Sequence, residues 1–275
     1  MVAGWRKLQK DKIAFISVLL LIAIFLLGIF APLIAPNDPN LANIAMKYKG
    51  ISKTYWLGTD QLGRCVFSRL LYGIRTTVFL AMLTMIVTMT IGITFGLLAG
   101  YLKGHIDNFL MRVCDVLLSF PSEVMILAIV GLLGPGMFNI ILASVLVKWA
   151  WYTRMIRGIV YKSSNQNYIL YSQTIGMPKL FILRKHVLPV SLSQILVLAS
   201  LDTGWVIISI SALSFLGLGV QAPTAEWGAM LSEARTVMMT HPEQMIVPGI
   251  ALLLVVAAFN YLGDSMRDVL DKKEA

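Results

Sequence analysis

Charge is what this sequence has least of. Only 13% of its 275 residues are Asp, Glu, Lys or Arg, while 57% are hydrophobic. Soluble domains carry about 25% charged residues, so soluble enzymes and disordered chains are excluded. Cysteine is nearly missing too. Cys65 and Cys114 stand alone, which excludes a disulfide scaffold, and no Cys/His spacing of a zinc site occurs. No Gly-Lys dipeptide occurs anywhere, so there is no phosphate loop of the Gly-x4-Gly-Lys-Ser/Thr kind. The apolar runs lack the period-2 alternation of a membrane β-barrel.

What is present is a series of long apolar runs. A spanning helix needs roughly 20 apolar residues, and six stretches meet that length. They run from about residue 13 to 35, 76 to 101, 108 to 134 (through Pro121), 137 to 152, 187 to 210 and 244 to 262. The first is too long for a signal peptide's apolar region, and no small-x-small cleavage site precedes Pro36, so it reads as an uncleaved span. The fold expected is an all-α integral membrane protein with six transmembrane helices.

Formal charge is +9, from 23 basic against 14 acidic residues. Placed on this topology, 15 of the basic residues fall on the side of the N-terminus, 7 on the other side and Lys148 within a span. Basic residues mark the cytoplasmic side, so both termini are expected there. The excess is then topological, and nucleic acid is not an expected partner. The divisions expected are a cytoplasmic segment over 1–12, a first helix over 13–35 and an external loop over 36–75. A five-helix core follows over 76–264, with a cytoplasmic loop at 153–186, then a tail over 265–275.

Three loops stand out. The first carries Trp56-Leu57-Gly58-Thr59-Asp60 and Leu62-Gly63-Arg64. Beyond it Val66, Phe67, Leu70, Leu71 and Ile74 recur at helical spacing between Arg64, Ser68, Arg69 and Arg75. That pattern predicts an amphipathic helix at the membrane interface, serving either as a lid or as a docking surface. The second loop carries Tyr168 to Pro178, where a short helix ends at Gly176 and Pro178. It either connects two spans or inserts into a groove on a soluble partner. The third carries Glu226-Trp227-Gly228.

Together these loops resemble the permeases of ATP-binding-cassette importers, in the peptide/opine/nickel branch and specifically its second permease subunit. The first loop resembles that branch's external signature, with Cys65 where the family usually has Asp. The second resembles the coupling motif: Leu170, Tyr171 and Ser172 stand at its Glu-Ala-Ala positions, then Gly176, then His186-Val187-Leu188-Pro189. The resemblance runs from about Lys12 to Leu270. It implies a type I importer permease fold and a multi-pass place in a bacterial inner membrane. It also implies four kinds of neighbour: a homologous second permease, two cytoplasmic ATPase subunits, an external solute-binding protein and lipid. ATP and Mg would sit on the ATPases, with no cofactor on this chain. Leu170, Tyr171, Ser172, Gly176, His186, Leu188 and Pro189 would couple to an ATPase. Trp56, Asp60, Arg64, Glu226 and Trp227 are external docking candidates. Lys148 to Arg157, Leu201 to Gly204 and Ala222 to Gly228 look nickel-type, so nickel or a nickel chelate is the expected solute and oligopeptide the alternative.

Charges within spans are costly and point to function. Glu123, Lys148 and Asp202 are translocation-path candidates, with a structural ion pair as the other reading. Arg112 and Asp115 suggest an i,i+3 pair. No metal ligands are assigned: His105, His186 and His241 show no ligand spacing, and Met82, Met85 and Met89 read as adaptable packing. A membrane-embedded enzyme would need an acid–base convergence that the expected depths oppose. A passive channel would not need the large cytoplasmic loop.

Overall fold

The computed structural model describes residues 11–271, with side chains described through residue 268. The expected segment over 1–12 therefore lies almost wholly outside the described residues. Among these the chain is helical, and its extended pairing is a single bridge between Thr59 and Cys65. Apart from short helical turns such as Ala31–Ile34, the helices are α1 (Lys12–Ile29), α2 (Val66–Leu102), α3 (Gly104–Leu118), α4 (Ser122–Leu133), α5 (Met137–Ser164), α6 (Asn167–Thr174), α7 (Lys179–Phe215), α8 (Trp227–Ala234) and α9 (Glu243–Asp271).

Four of these, α1, α2, α7 and α9, are long and apolar enough to cross a membrane, and the bent pair α3–α4 makes a fifth. The third expected span is thus broken rather than straight. The chain turns by 79° between α3 and α4. Pro121 has no N–H, and the residue before a proline is pushed out of the helical region. The fourth expected span, α5, has 28 residues. That is long enough, but Lys148, Arg154, Arg157 and Lys162 keep its hydropathy low. It survives as an inner helix, with Ile140, Ala143, Val147, Ala150 and Ile156 buried.

Helix edges extend past the sequence limits. α5 continues to Ser164 and α7 starts at Lys179, so the second loop shrinks from 153–186 to the stretch 165–178. α2 and α7 have 37 residues each. At about 1.5 Å per residue they reach about 55 Å, beyond a hydrocarbon core of about 30 Å. Each contains one π-turn, at Arg75–Phe79 and Leu183–Val187. Such turns insert one extra residue and concentrate at functional sites.

The helix at Val66–Ile74 is not a separate element. It is the head of α2, and Ser68 and Arg69 on its polar face are buried, as is Arg64 just ahead of it. The long packing seam is α2 on α5. Gly92, Gly96 and Gly100 form a stripe at four-residue spacing. A Cβ on them would come within 2.6 Å of Tyr152, 2.8 Å of Ile156 and 2.9 Å of Val160. This small-xxx-small stripe lets two membrane helices approach closely. The α1 N-terminus is fastened differently. Asp11 accepts from Ile13 N at 3.1 Å and Ala14 N at 3.3 Å, and Ser265 Oγ of α9 donates to it at 3.0 Å. The Ala14 amide and the Ser265 hydroxyl hold its carboxyl below the usual carboxylate range.

Candidate functional site

Three regions hold the residues singled out by sequence. The first is a plate at the end where loops 36–65 and 216–242 meet. Its turn chemistry explains the glycines. Gly58 and Gly63 have φ of +76° and +73°, and a Cβ on Gly63 would fall 1.7 Å from Asn43 O. Asp60 sits at the centre. Its Oδ1 accepts from Leu62 N and Arg64 N, each at 2.9 Å, and its Oδ2 accepts from Arg64 Nε at 2.6 Å. Arg64 also donates to Glu233 Oε2 at 2.6 Å, and Arg69 donates to the same carboxylate at 3.1 and 3.3 Å. Both arginines are 1% exposed. Two guanidiniums and two carboxylates thus answer one another, with bonds of charge-assisted length.

Glu226 and Trp227 belong to the same plate. Glu226 caps α8, accepting from Ala229 N at 2.7 Å, and takes a second bond from Thr77 Oγ1 at 3.0 Å. Burial pushes its carboxyl up from the ordinary range. Trp227 Nε1 donates to Leu70 O at 2.9 Å, and its ring lies where a Cβ on Gly73 would be 2.5 Å away. The π-turn of α2 presents Thr76 to Ala225 O and Thr77 to Glu226 and to Trp227 N. Four of the five docking candidates, Asp60, Arg64, Glu226 and Trp227, are therefore not a surface. Asp60 and Arg64 are buried as each other's counter-charge, whereas Glu226 is buried on hydroxyl and amide donors and Trp227 on the Leu70 carbonyl. Trp56 is the exception, 51% exposed and resting on Phe67 with ring centroids 4.9 Å apart.

The second region is the middle of the bundle. Glu123 (first turn of α4), Lys148 (α5) and Asp202 (α7) line one open cavity of about 410 Å³, with Ser122, Trp151, Tyr152 and Trp205. Three charges far apart in sequence converge, as pocket-lining groups do. The break at Pro121 brings Glu123 there, at the mouth rather than in mid-span. Lys148 Nζ lies 4.0 Å from Glu123 Oε1 and 5.9 Å from the Trp205 ring centroid. The Lys148 side chain is 12% exposed against 54% for Glu123. Arg112 is not the partner of Asp115. Arg154 of α5 is, since α3 lies along α5 and offers a stronger cross-helix bond. Arg157 grips Asp107 likewise, at 2.5 and 2.6 Å. Met85 and Met89 are buried core residues, with Met82 packed against them.

The third region is α6 at the opposite end. Ile169 and Ser172 face the bundle and are buried, while Tyr168, Leu170, Tyr171 and Ile175 are exposed, Tyr171 at 67%. Gly176 ends the helix at φ +79°. Its N–H bonds Gln173 O at 3.0 Å, and Met177 N bonds Ser172 O at 3.2 Å. That pair of bonds is the Schellman motif, and its left-handed residue explains the glycine. His186 sits in the π-turn of α7, half-buried, with ring centroids 6.2 Å from Tyr168 and 5.9 Å from Phe181. Leu188 and Pro189 continue α7. The missing N–H of Pro189 is met just after the π-turn, where the helix ladder is already displaced. Among the described residues, no three His, Cys, Asp or Glu side chains gather as a metal site.

A helical bundle with a charged central cavity, a sealed plate at one end and an exposed apolar helix at the other defines a membrane transport subunit. Residues 92–275 match the family model of the binding-protein-dependent transport system inner membrane component, and residues 3–50 match the N-terminal TM domain of oligopeptide transport permease C. The chain is 47% identical over 268 residues to the metal-staphylopine import system permease protein CntC of Staphylococcus aureus, covering 98% of this chain and 93% of that protein. It is 41% identical over 270 residues to the glutathione transport system permease protein GsiD of Shigella flexneri, covering 98% and 89%. The chain belongs to the binding-protein-dependent inner membrane component family. It is a multi-pass translocation subunit of an ATP-binding-cassette importer in the bacterial inner membrane. Importers of this kind combine a partner permease, ATPase subunits and a substrate-binding protein, and ATP is hydrolysed on the partners.

Proposed function

We propose that this permease carries a metal chelate, with nickel as the metal, received from an external solute-binding protein. The observation that supports the solute is the 47% identity to a metal-staphylopine permease over nearly the whole of both chains. The cavity of Glu123, Lys148 and Asp202 suits such a cargo, because a chelate offers both cationic and anionic groups and the cavity carries both signs. No ligand set for bare metal is required, since the chelator fills the coordination sphere. The glutathione permease at 41% identity supports small peptides as the second reading.

Both termini are cytoplasmic in this proposal. α5 and the bent pair α3–α4 complete six spans, and the plate of loops 36–65 and 216–242 faces outward. α6 seats in a groove of one of two ATPases, with Tyr168, Leu170 and Tyr171 as its apolar contacts. Closure of the ATPase pair moves α6, which is tied to the start of α7 through His186, and so shifts the bundle between two states. Uptake of radiolabelled nickel and of a labelled dipeptide, in cells with and without the gene, tests the solute. Loss of nickel uptake on deletion is expected. Unchanged nickel uptake with lost dipeptide uptake overturns the proposal.

A further inference from the structure

Lys148 lines two cavities, not one. Besides the wide cavity with Glu123 and Asp202, it borders a second, narrow one between α2, α5 and α7. That inner cavity has room for a group the size of a water or an ammonium. Its polar lining is hydroxyl: Thr84, Thr88, Ser144, Tyr152 and Ser209. Thr84 and Thr88 give their protons to Leu80 O at 2.8 Å and Thr84 O at 2.7 Å, while the Tyr152 hydroxyl lies 3.4 Å from Met85 Sδ and also hydrogen-bonds Asp202. The oxygen lone pairs of Thr84 and Thr88 are thereby left to accept. An ammonium is the matching group, with three donors and no acceptor. No carboxylate lines the inner cavity itself, and Asp202 reaches it only through the Tyr152 hydroxyl, so a cation there is solvated by hydroxyls rather than paired directly.

The outer position of Lys148 is equally loose. At 4.0 Å from Glu123 the pair lies beyond hydrogen-bond length. A four-carbon stem gives the ammonium reach that a planar guanidinium lacks.

We infer that Lys148 is a resident cation. It neutralises Glu123 and Asp202 while the cavity is empty of solute, and retreats into the hydroxyl-lined cavity when a cationic centre of the solute takes those carboxylates. The inference rests on the proposed role of the wide cavity as part of the solute path. It adds a device: the site never presents two uncompensated carboxylates, and release of the solute is driven by return of the lysine. The solute class is one with a positively charged centre, met by exchange rather than by an open negative site.

The test is a mutant cycle on the complete transporter, with its partner permease, ATPases and solute-binding protein, following radiolabelled nickel uptake in vesicles. Protein amount in each vesicle preparation is measured beside it. Thr88→Val with Ser144→Ala removes inner acceptors with little change in volume. It is expected to raise KM about tenfold, because the lysine cannot withdraw. In a Lys148→Met background the same pair of substitutions is expected to change nothing, since nothing needs to withdraw. Lys148→Met alone is expected to lower KM and slow turnover. Additive effects of the inner substitutions and Lys148→Met overturn the inference while leaving the path reading intact. Glu123→Gln with Asp202→Asn leaving uptake unchanged overturns the path reading, and this inference with it.

Discussion

The molecule holds two clusters that set basic side chains against one Asp and one Glu, and they are made differently. In the loop plate, Arg64 meets Asp60 and Glu233 at 2.6 Å, every carboxylate has several donors, and both arginines are sealed from water. In the mid-bundle cavity, Lys148 stands 4.0 Å from Glu123 beside about 410 Å³ of space. A network in which each of two guanidiniums meets both carboxylates fixes geometry, even with Arg64 Nη1 left unpaired. A single ammonium loosely facing two carboxylates leaves its partners free to exchange. The difference teaches that charge inside a membrane protein is read by how fully it is answered, not by its presence.

The comparison is broken most directly at Arg64. Arg64→Ala leaves Asp60 and Glu233 short of a buried counter-charge and is expected to cost about 3–5 kcal/mol. The expected outcome is loss of folded permease from the membrane, measured by immunoblot of membrane fractions and by thermal stability in detergent. Full protein amount with impaired uptake would mean the plate works as a site after all.

A second effect tests the opposite end. Tyr171→Asp places a charge on the exposed apolar row of α6 without touching buried Ile169 or Ser172. Desolvating that charge in a partner's groove costs more than burying an unpaired neutral polar group, itself about 2–7 kcal/mol. The expected outcome is normal membrane insertion with weak co-purification of the ATPases and uptake lost. Gly176→Pro acts the same way by a different route, since proline fixes φ near −65° and the Schellman turn holds it at +79°.

The central cavity gives a smaller and cleaner change. Glu123→Gln is expected to lower uptake about tenfold, near 1.4 kcal/mol, with protein amount untouched. Loss of protein alongside uptake would show that Glu123 is structural, and the two clusters would then be alike.

Much of this was legible in the sequence, for identifiable reasons. Apolar run length carried α1, α2, α7 and α9, because a helix in lipid must satisfy its own backbone. The turn at Gly176 followed from glycine and proline, and the meeting of Glu123, Lys148 and Asp202 followed from the cost of charge in a span. Three things were not legible. Burial of Asp60, Arg64, Glu226 and Trp227 depends on two loops about 160 residues apart packing together, which one sequence does not encode locally. The break at Pro121 was visible as a proline, but its 79° angle is set by how α4 packs on α5. The partner of Asp115 was sought three residues away because periodicity sees only one helix, whereas Arg154 comes from another. One signal was present and went unread: Gly92, Gly96 and Gly100 at four-residue spacing mark the α2–α5 seam.

The smallest expected effect sharpens the comparison at its margin, where the plate meets whatever lies outside. Trp56 has its ring half in the open, yet its position is fixed. Its Nε1 donates to Lys53 O at 3.1 Å and its face rests on Phe67. Leu41, Ile44, Ile51 and Leu62 are exposed in the same loop. A held aromatic beside exposed aliphatics is the composition of a contact core rather than of a solvated loop. The plate beneath is rigid, so removing the ring should not disturb it. Trp56→Ala is therefore expected to leave protein amount and thermal stability unchanged. It should weaken binding of the solute-binding protein to the vesicle-embedded transporter about threefold, near 0.7 kcal/mol. Titration of labelled binding protein against the reconstituted complex reads this directly. A fall in stability instead would place Trp56 with Trp227, as one more internal brace, and would leave the outer face of the plate without a docking residue among those the sequence singled out.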